Sequence, residues 1–146
     1  MKRKSLHMET TSISVIKTCA EIESVLIKHN VTAIMKTIDN GNVSGMQFVY
    51  NENGQSIPIK IPFRWQSIQK LAQSGKTGYN KTADEAQAKR VAARLELRWI
   101  QSMLAKVEVG MADMIEIFMP YIMVNDGQSF YEKLSSENFK GLLTSG

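Results

Sequence analysis

The spacing of apolar positions changes along the chain, and each change marks an element. Ile22, Val25, Leu26 and His29 recur at helical spacing, and Asn30 supplies a stop. Thr18-Cys19-Ala20-Glu21 just ahead has the form of a capping box, so a helix is expected from about Thr18. From Val31 the pattern shortens. Val31-Thr32-Ala33-Ile34-Met35-Lys36-Thr37-Ile38 is rich in β-branched residues, and Asp39-Asn40-Gly41-Asn42 carries turn chemistry. Val43 to Tyr50 then alternates, with Met46, Phe48 and Tyr50 on one face, and Asn51-Glu52-Asn53-Gly54 forms a second turn. Next, Ile57, Ile59, Ile61 and Phe63 point one way, while Pro58 and Pro62 share the opposite face. Two missing N–H donors mark that strand as an edge. Three strands joined by two short turns make an antiparallel meander, which buries one face and leaves the other wet.

Beyond the meander the helical period returns. Arg64 to Ala72 reads as a short helix, and Gln73 to Lys81 as a flexible loop. Thr82-Ala83-Asp84-Glu85 repeats the capping-box form and opens the longest helix, expected to run to about Val109, where Gly110 interrupts it. Met111, Met114, Ile115, Phe118, Tyr121 and Ile122 continue an apolar stripe that Pro120 should kink or end. Asn125-Asp126-Gly127 turns the chain, and Ser129 to Leu143 reads as a weak tail. The expected fold is α+β: an N-terminal helix, a three-stranded antiparallel meander and a long C-terminal helical region (α-β-β-β-α). Residues 1–16 are expected to be flexible, 17–124 to form a single α+β domain and 125–146 a weakly structured C-terminal tail.

Composition narrows the function classes. The 146 residues suit one domain, and 43% hydrophobic with 22% charged residues is not the profile of a disordered chain. No apolar run nears the roughly 20 residues that span a bilayer. The basic opening Met1-Lys2-Arg3-Lys4 is not followed by a hydrophobic segment and cleavage site, so it does not read as a signal peptide and an intracellular protein is expected. A single cysteine, Cys19, excludes an internal disulfide and a cysteine-built zinc site.

Catalytic signals are thin. His7 lies in the polar start, and His29 ends a helix, where a capping or surface role is the simpler account. Cys19 falls in a helix's first turn, where the dipole lowers a thiol pKa, but no second cysteine or sequence partner accompanies it. Gly75-Lys76-Thr77 matches the end of a phosphate-binding loop, yet Lys70 stands where that motif needs its first glycine. Asp113 and Glu116 share a helix face and read as a solvated acidic edge. A non-enzymatic protein without metal or cofactor is expected.

Charge is the more informative feature. The chain carries 18 Lys+Arg against 14 Asp+Glu, a net charge of +4. From Lys60 to Arg98 nine cations meet three acids, whereas from Ala105 onward three lysines meet six acids. Arg90, Arg94 and Arg98 recur at i, i+4, i+8 and so form a ridge on the long helix. With Lys60, Arg64, Lys89 and the loop lysines Lys76 and Lys81 they suit phosphate oxygens, and Trp65 or Tyr79 could stack on an unpaired base. A solvated face or a protein interface is the competing account. Trp99, Met103, Met111, Met114, Phe118 and Tyr121 give more apolar surface than one sheet and one helix bury, so a homo-oligomer is expected through this segment.

Two resemblances bear on function. The element order, with Gly78-Tyr79-Asn80-Lys81 before Ala86-Gln87-Ala88-Lys89-Arg90-Val91-Ala92-Ala93, resembles the double-stranded-RNA-binding domain. There, lysines at the start of the last helix touch phosphates across a groove, and Lys81 and Lys89 would hold roughly those places. More of the chain is similar to an uncharacterised family of small proteins carried by bacteriophages and prophages. That likeness rests on Lys17-Thr18-x-x-Glu21-Ile22, Ile61-Pro62-Phe63-Arg64, Gln87-Ala88-x-Arg90-Val91-Ala92-x-Arg94, Phe118-Met119-Pro120-Tyr121 and Gly127-Gln128-Ser129-Phe130-Tyr131-Glu132. It implies the cytoplasm of a bacterial host and two typical tasks, handling DNA in replication or recombination and disabling host defence. The leading expectation is a phage nucleic-acid-binding protein for single-stranded DNA. The alternatives are an inhibitor of a host Cas nuclease or other immune effector, and an oligomeric assembly protein.

Overall fold

The computed structural model describes residues 11–74 and 84–142. Helix α1 (Val15–Leu26) is followed by strands β1 (Val31–Asp39), β2 (Asn42–Glu52) and β3 (Gln55–Pro62). Helices α2 (Trp65–Gln73) and α3 (Glu85–Glu108) come next, then the short α4 (Met114–Phe118) and a 3-10 turn at Met119–Tyr121. A small hairpin of β4 (Met123–Asn125) and β5 (Gln128–Ser129) leads into α5 (Phe130–Ser136). The class is α+β, in the element order expected, with the second small sheet added.

The meander forms because its turns are built for it. Asn40-Gly41 and Asn53-Gly54 are two-residue loops whose φ angles are all positive, at 50°, 79°, 52° and 80°. That is the backbone twist that matches two right-twisted strands, and Asn-Gly adopts it at low cost. The sheet order is β1-β2-β3, all antiparallel. Ile34, Phe48 and Ile59 stand side by side across it, and Met46 stands beside Ile61. These side chains form one core with Cys19, Ile22 and Leu26 of α1 and with Val91, Leu97, Ile100 and Leu104 of α3. Phe118 sits at its centre, edge-on to Phe48 at 5.2 Å and to Trp99 at 5.6 Å between ring centroids. At the far edge Ile59 of β3 forms a single antiparallel bridge with Ile122, so the chain after the 3-10 turn meets β3 between its two prolines.

Several boundaries differ from the sequence reading for local reasons. Helix α1 starts a turn earlier, capped by Ser14, whose hydroxyl accepts the Lys17 N–H at 3.1 Å. Thr18 is buried inside the helix, and Glu21 reaches across to α3 rather than back to a cap. Asp84 caps α3 by accepting the Ala86 N–H at 3.0 Å; Thr82 lies outside the described residues. Val109 ends α3, and Gly110 turns the chain at φ 80°. Asp113 and Glu116 form the capping box of α4, which accounts for their spacing. The expected weak tail holds α5, opened by a second reciprocal box between Ser129 and Glu132. Among the described residues no helix is long and apolar enough to cross a membrane.

Candidate nucleic-acid interface

The arginine ridge does not survive folding as one surface. Helix α3 packs against both α1 and α2, and the small pair Ala92-Ala93 is buried where they crowd it. Arg94 falls on the side covered by α1 and is only 4% exposed. Its Nη1 donates to Glu21 Oε2 at 2.8 Å and reaches Thr18 Oγ1 at 3.4 Å, while its Nε is buried without a partner among the described residues. Arg94 is therefore a core ion pair and not a phosphate contact. Arg90 is half-buried and donates from Nε to Gln87 Oε1 at 2.8 Å. Arg98 is exposed and leans on Gln101 at 3.1 Å. Lys89 pairs with Glu85 at 3.4 Å and lies over the Trp65 ring, 4.8 Å from its centre. That lysine lies over one face of the half-buried indole, so that face is not open for stacking. Lys76, Tyr79 and Lys81 lie outside the described residues.

Lys60 and Arg64 line one groove and form no direct ion pair among the described residues. Lys60 projects from the outer face of β3, and Arg64 follows that strand at the entry to α2. Both line a groove of about 610 Å³ between the sheet's outer face and the β4–β5 hairpin. Gln47, Pro58 and Pro62 form its floor, Tyr121 is its aromatic wall, and Asn125, Asp126 and Gly127 form the rim opposite. The prolines explain the opening, because a strand without those N–H groups cannot take a full neighbouring strand. Neither Lys60 nor Arg64 is within salt-bridge distance of an acid among the described residues.

The acids nearby respond to these cations. Glu132 accepts the Ser129 N–H at 3.0 Å. The hydrogen bonds from Ser129 hold its carboxyl below the ordinary range, and the charges of Lys60 and Arg64 add to that effect. Glu96, half-buried on α3, is pushed up to about 7 by burial, against the opposing pull of Arg64. Neutral pH thus finds it divided between charged and uncharged forms.

The remaining expected sites are placed plainly. Met114 and Phe118 are buried in this chain's own core, and Trp99, Met103 and Tyr121 pack against it, so most of the segment expected to join subunits is used internally. Met111 alone of that set is exposed. The extra helices and the hairpin supply the covering surface that the sequence reading lacked. Cys19 is fully buried in α1, and burial raises its thiol to about 11, the opposite of a dipole-activated nucleophile. His29, in the turn after α1, has its Nε2 3.2 Å from Oε1 of Glu108, the last residue of α3. Among the described residues no group of three or more His, Cys, Asp or Glu side chains is placed to hold a metal ion. The Lys60–Arg64 groove was half legible, since both cations stood in the basic segment. Its far wall came from residues that had read as tail. Comparison of the chain with family models, with curated proteins and with solved structures finds no match.

Proposed function

We propose that this chain is a non-enzymatic nucleic-acid-binding protein that takes single-stranded DNA along the groove between the outer sheet face and the β4–β5 hairpin. Lys60 and Arg64 hold phosphates there, Tyr121 borders the path of a base, and the amides of Gln47 and Asn125 meet base or sugar edges. The observation that carries this reading is the pair of cations in one groove without an acid at ion-pair distance among the described residues. No direct ion pair of these two side chains has to break before phosphate binds, and Asp126 and Glu132 of the same groove set the opposing repulsion. In the setting that the phage resemblance implies, the task is replication or recombination in the cytoplasm of a bacterial host.

A second reading has its own support. Asp126 and Glu132 stand in the same groove as Lys60 and Arg64, and a mixed-charge surface suits a protein partner, such as a host defence protein. Fluorescence anisotropy with labelled oligonucleotides at two salt concentrations separates the two. Under the first reading the protein binds single strands with a steep salt dependence, and Lys60→Ala lowers the slope of log K against log salt by about 0.7 for the lost phosphate contact. Absence of binding at low salt overturns it and leaves the protein-partner reading.

A further inference from the structure

The sheet has two edges, and they are treated differently. Edge β3 carries two prolines and is met by Ile122. Edge β1 runs for nine residues without a proline, and among the described residues it pairs only with β2. Exposed apolar side chains stand on and beside it: Met35 and Ile38 of β1, and Ile27, which caps α1 and shares a groove with Val31 and Ile34, are each more than half exposed. A long unpaired strand with apolar flanks is a template for another strand, and proteins normally blunt such an edge. Lys36 is the one cation on β1, and it is tied back to Glu23 of α1 at 3.2 Å.

We propose that β1 pairs antiparallel with β1 of a second copy of this chain, joining two three-stranded sheets into one of six strands about a two-fold axis. The occupant follows from the pattern of the strand. For the two helical layers to lie on one side, residues on the same face must stand opposite each other. On β1 the helix side carries Ile34 and Lys36, and the outer side carries Ala33, Met35 and Thr37. A register centred on Met35 sets Met35 against the partner's Met35 and Ala33 against the partner's Thr37. It also sets Lys36 against the partner's Ile34. Ile34 lines a shallow groove with Ile27 and Glu23, so each Lys36 lies between its own Glu23 and the partner's Glu23. Shifting the centre by one residue to Lys36 would set two lysines face to face, which is unfavourable. The strand is complementary to itself in charge as well as in hydrogen bonding, which an unrelated peptide need not be.

The test is sedimentation velocity of the full chain over a concentration series. The expected result is a dimer whose dissociation constant rises about tenfold or more in Met35→Lys, where two added charges meet on the axis. Met35 is exposed, so unchanged far-UV circular dichroism should accompany the loss of the dimer. Met35→Cys checks the register: opposite residues lie about 4.5–5.5 Å apart at Cα, within disulfide reach, so mild oxidation should cross-link the pair, while Ile16→Cys should not cross-link. A monomer at every concentration overturns the proposal. So does a dimer indifferent to Met35→Lys, and so does a Met35→Cys variant that stays uncross-linked.

Discussion

Removing either partner of the Arg94–Glu21 pair breaks the same 2.8 Å contact, but the two losses should differ in size. Glu21→Ala leaves a guanidinium that is 4% exposed, with its Nε already unpartnered among the described residues. Deleting one member of a buried pair costs roughly 3–5 kcal/mol. The Glu21 side chain is 36% exposed, so solvent already screens part of the attraction, and about 2–3 kcal/mol is expected. At roughly 3–4 °C per kcal/mol for a chain of this size, the midpoint of thermal unfolding should fall by about 6–12 °C. Arg94→Met removes the buried charge and the orphaned Nε together, and fills the site with an apolar chain of similar reach. Glu21 is then free to hydrate, and Thr18 can turn its hydroxyl to the carbonyl four residues back. The net cost should stay within about 1 kcal/mol. Urea unfolding with a shared slope measures both. Equal losses, or a larger loss for Arg94→Met, would refute the reasoning. Anisotropy adds a functional check, because Arg94→Met should leave oligonucleotide affinity and its salt slope where they were.

Glu96 gives the fold a pH dependence whose sign is fixed by the direction of its shift. Its carboxyl is raised from 4.5 to about 7 in the folded chain, so the folded state holds the proton more tightly and stability falls as pH rises through that window. Glu96→Gln should flatten the decline and stabilise the protein above pH 7 by up to about 2–3 kcal/mol, read from urea midpoints at pH 5 and pH 8; a parallel pH dependence in the variant would contradict the assignment. Gly45 is a separate case, because a Cβ there would lie 2.7 Å from the Ile61 carbonyl oxygen. Gly45→Ala should therefore force β2 and β3 apart and cost at least about 1–2 kcal/mol, and an unchanged unfolding midpoint would show that the strands yield freely.

Much of the fold was legible because local and global signals agreed. The Asn-Gly turns set hairpin geometry by themselves, and the alternation of Met46, Phe48 and Tyr50 had one outlet, a buried sheet face. The errors cluster where one residue type serves two purposes. Thr18 and Glu21 have the spacing of a cap, and only the arrival of Arg94 from α3 shows why they are spent elsewhere. Asp113 and Glu116 were the reverse, a cap that looked like an acidic surface. Ser129 to Glu132 matched the same box, but a short helix with no strong apolar stripe gave little reason to expect it to pack.

The ridge shows why periodicity alone cannot assign a surface. Spacing of four residues advances about 40° per step around a helix, so Arg90, Arg94 and Arg98 sweep an arc and do not share a line. Along that arc the cover changes: α1 lies over Arg94, while Arg98, a turn further on, is open to water. Sequence pattern fixes which side chains lie near one another on an element, and tertiary packing decides which of them meet solvent. A cation on β3 is less ambiguous, since alternation allows only two sides and the buried side was already taken by Ile59 and Ile61. Lys60 therefore had to point outward from the strand pattern alone. The same logic applies to Met35, which must face outward because Ile34 faces in. The binding groove proposed beside β3 and the pairing edge proposed at β1 are then compatible, because they use the sheet's two opposite edges and leave the shared helical core untouched.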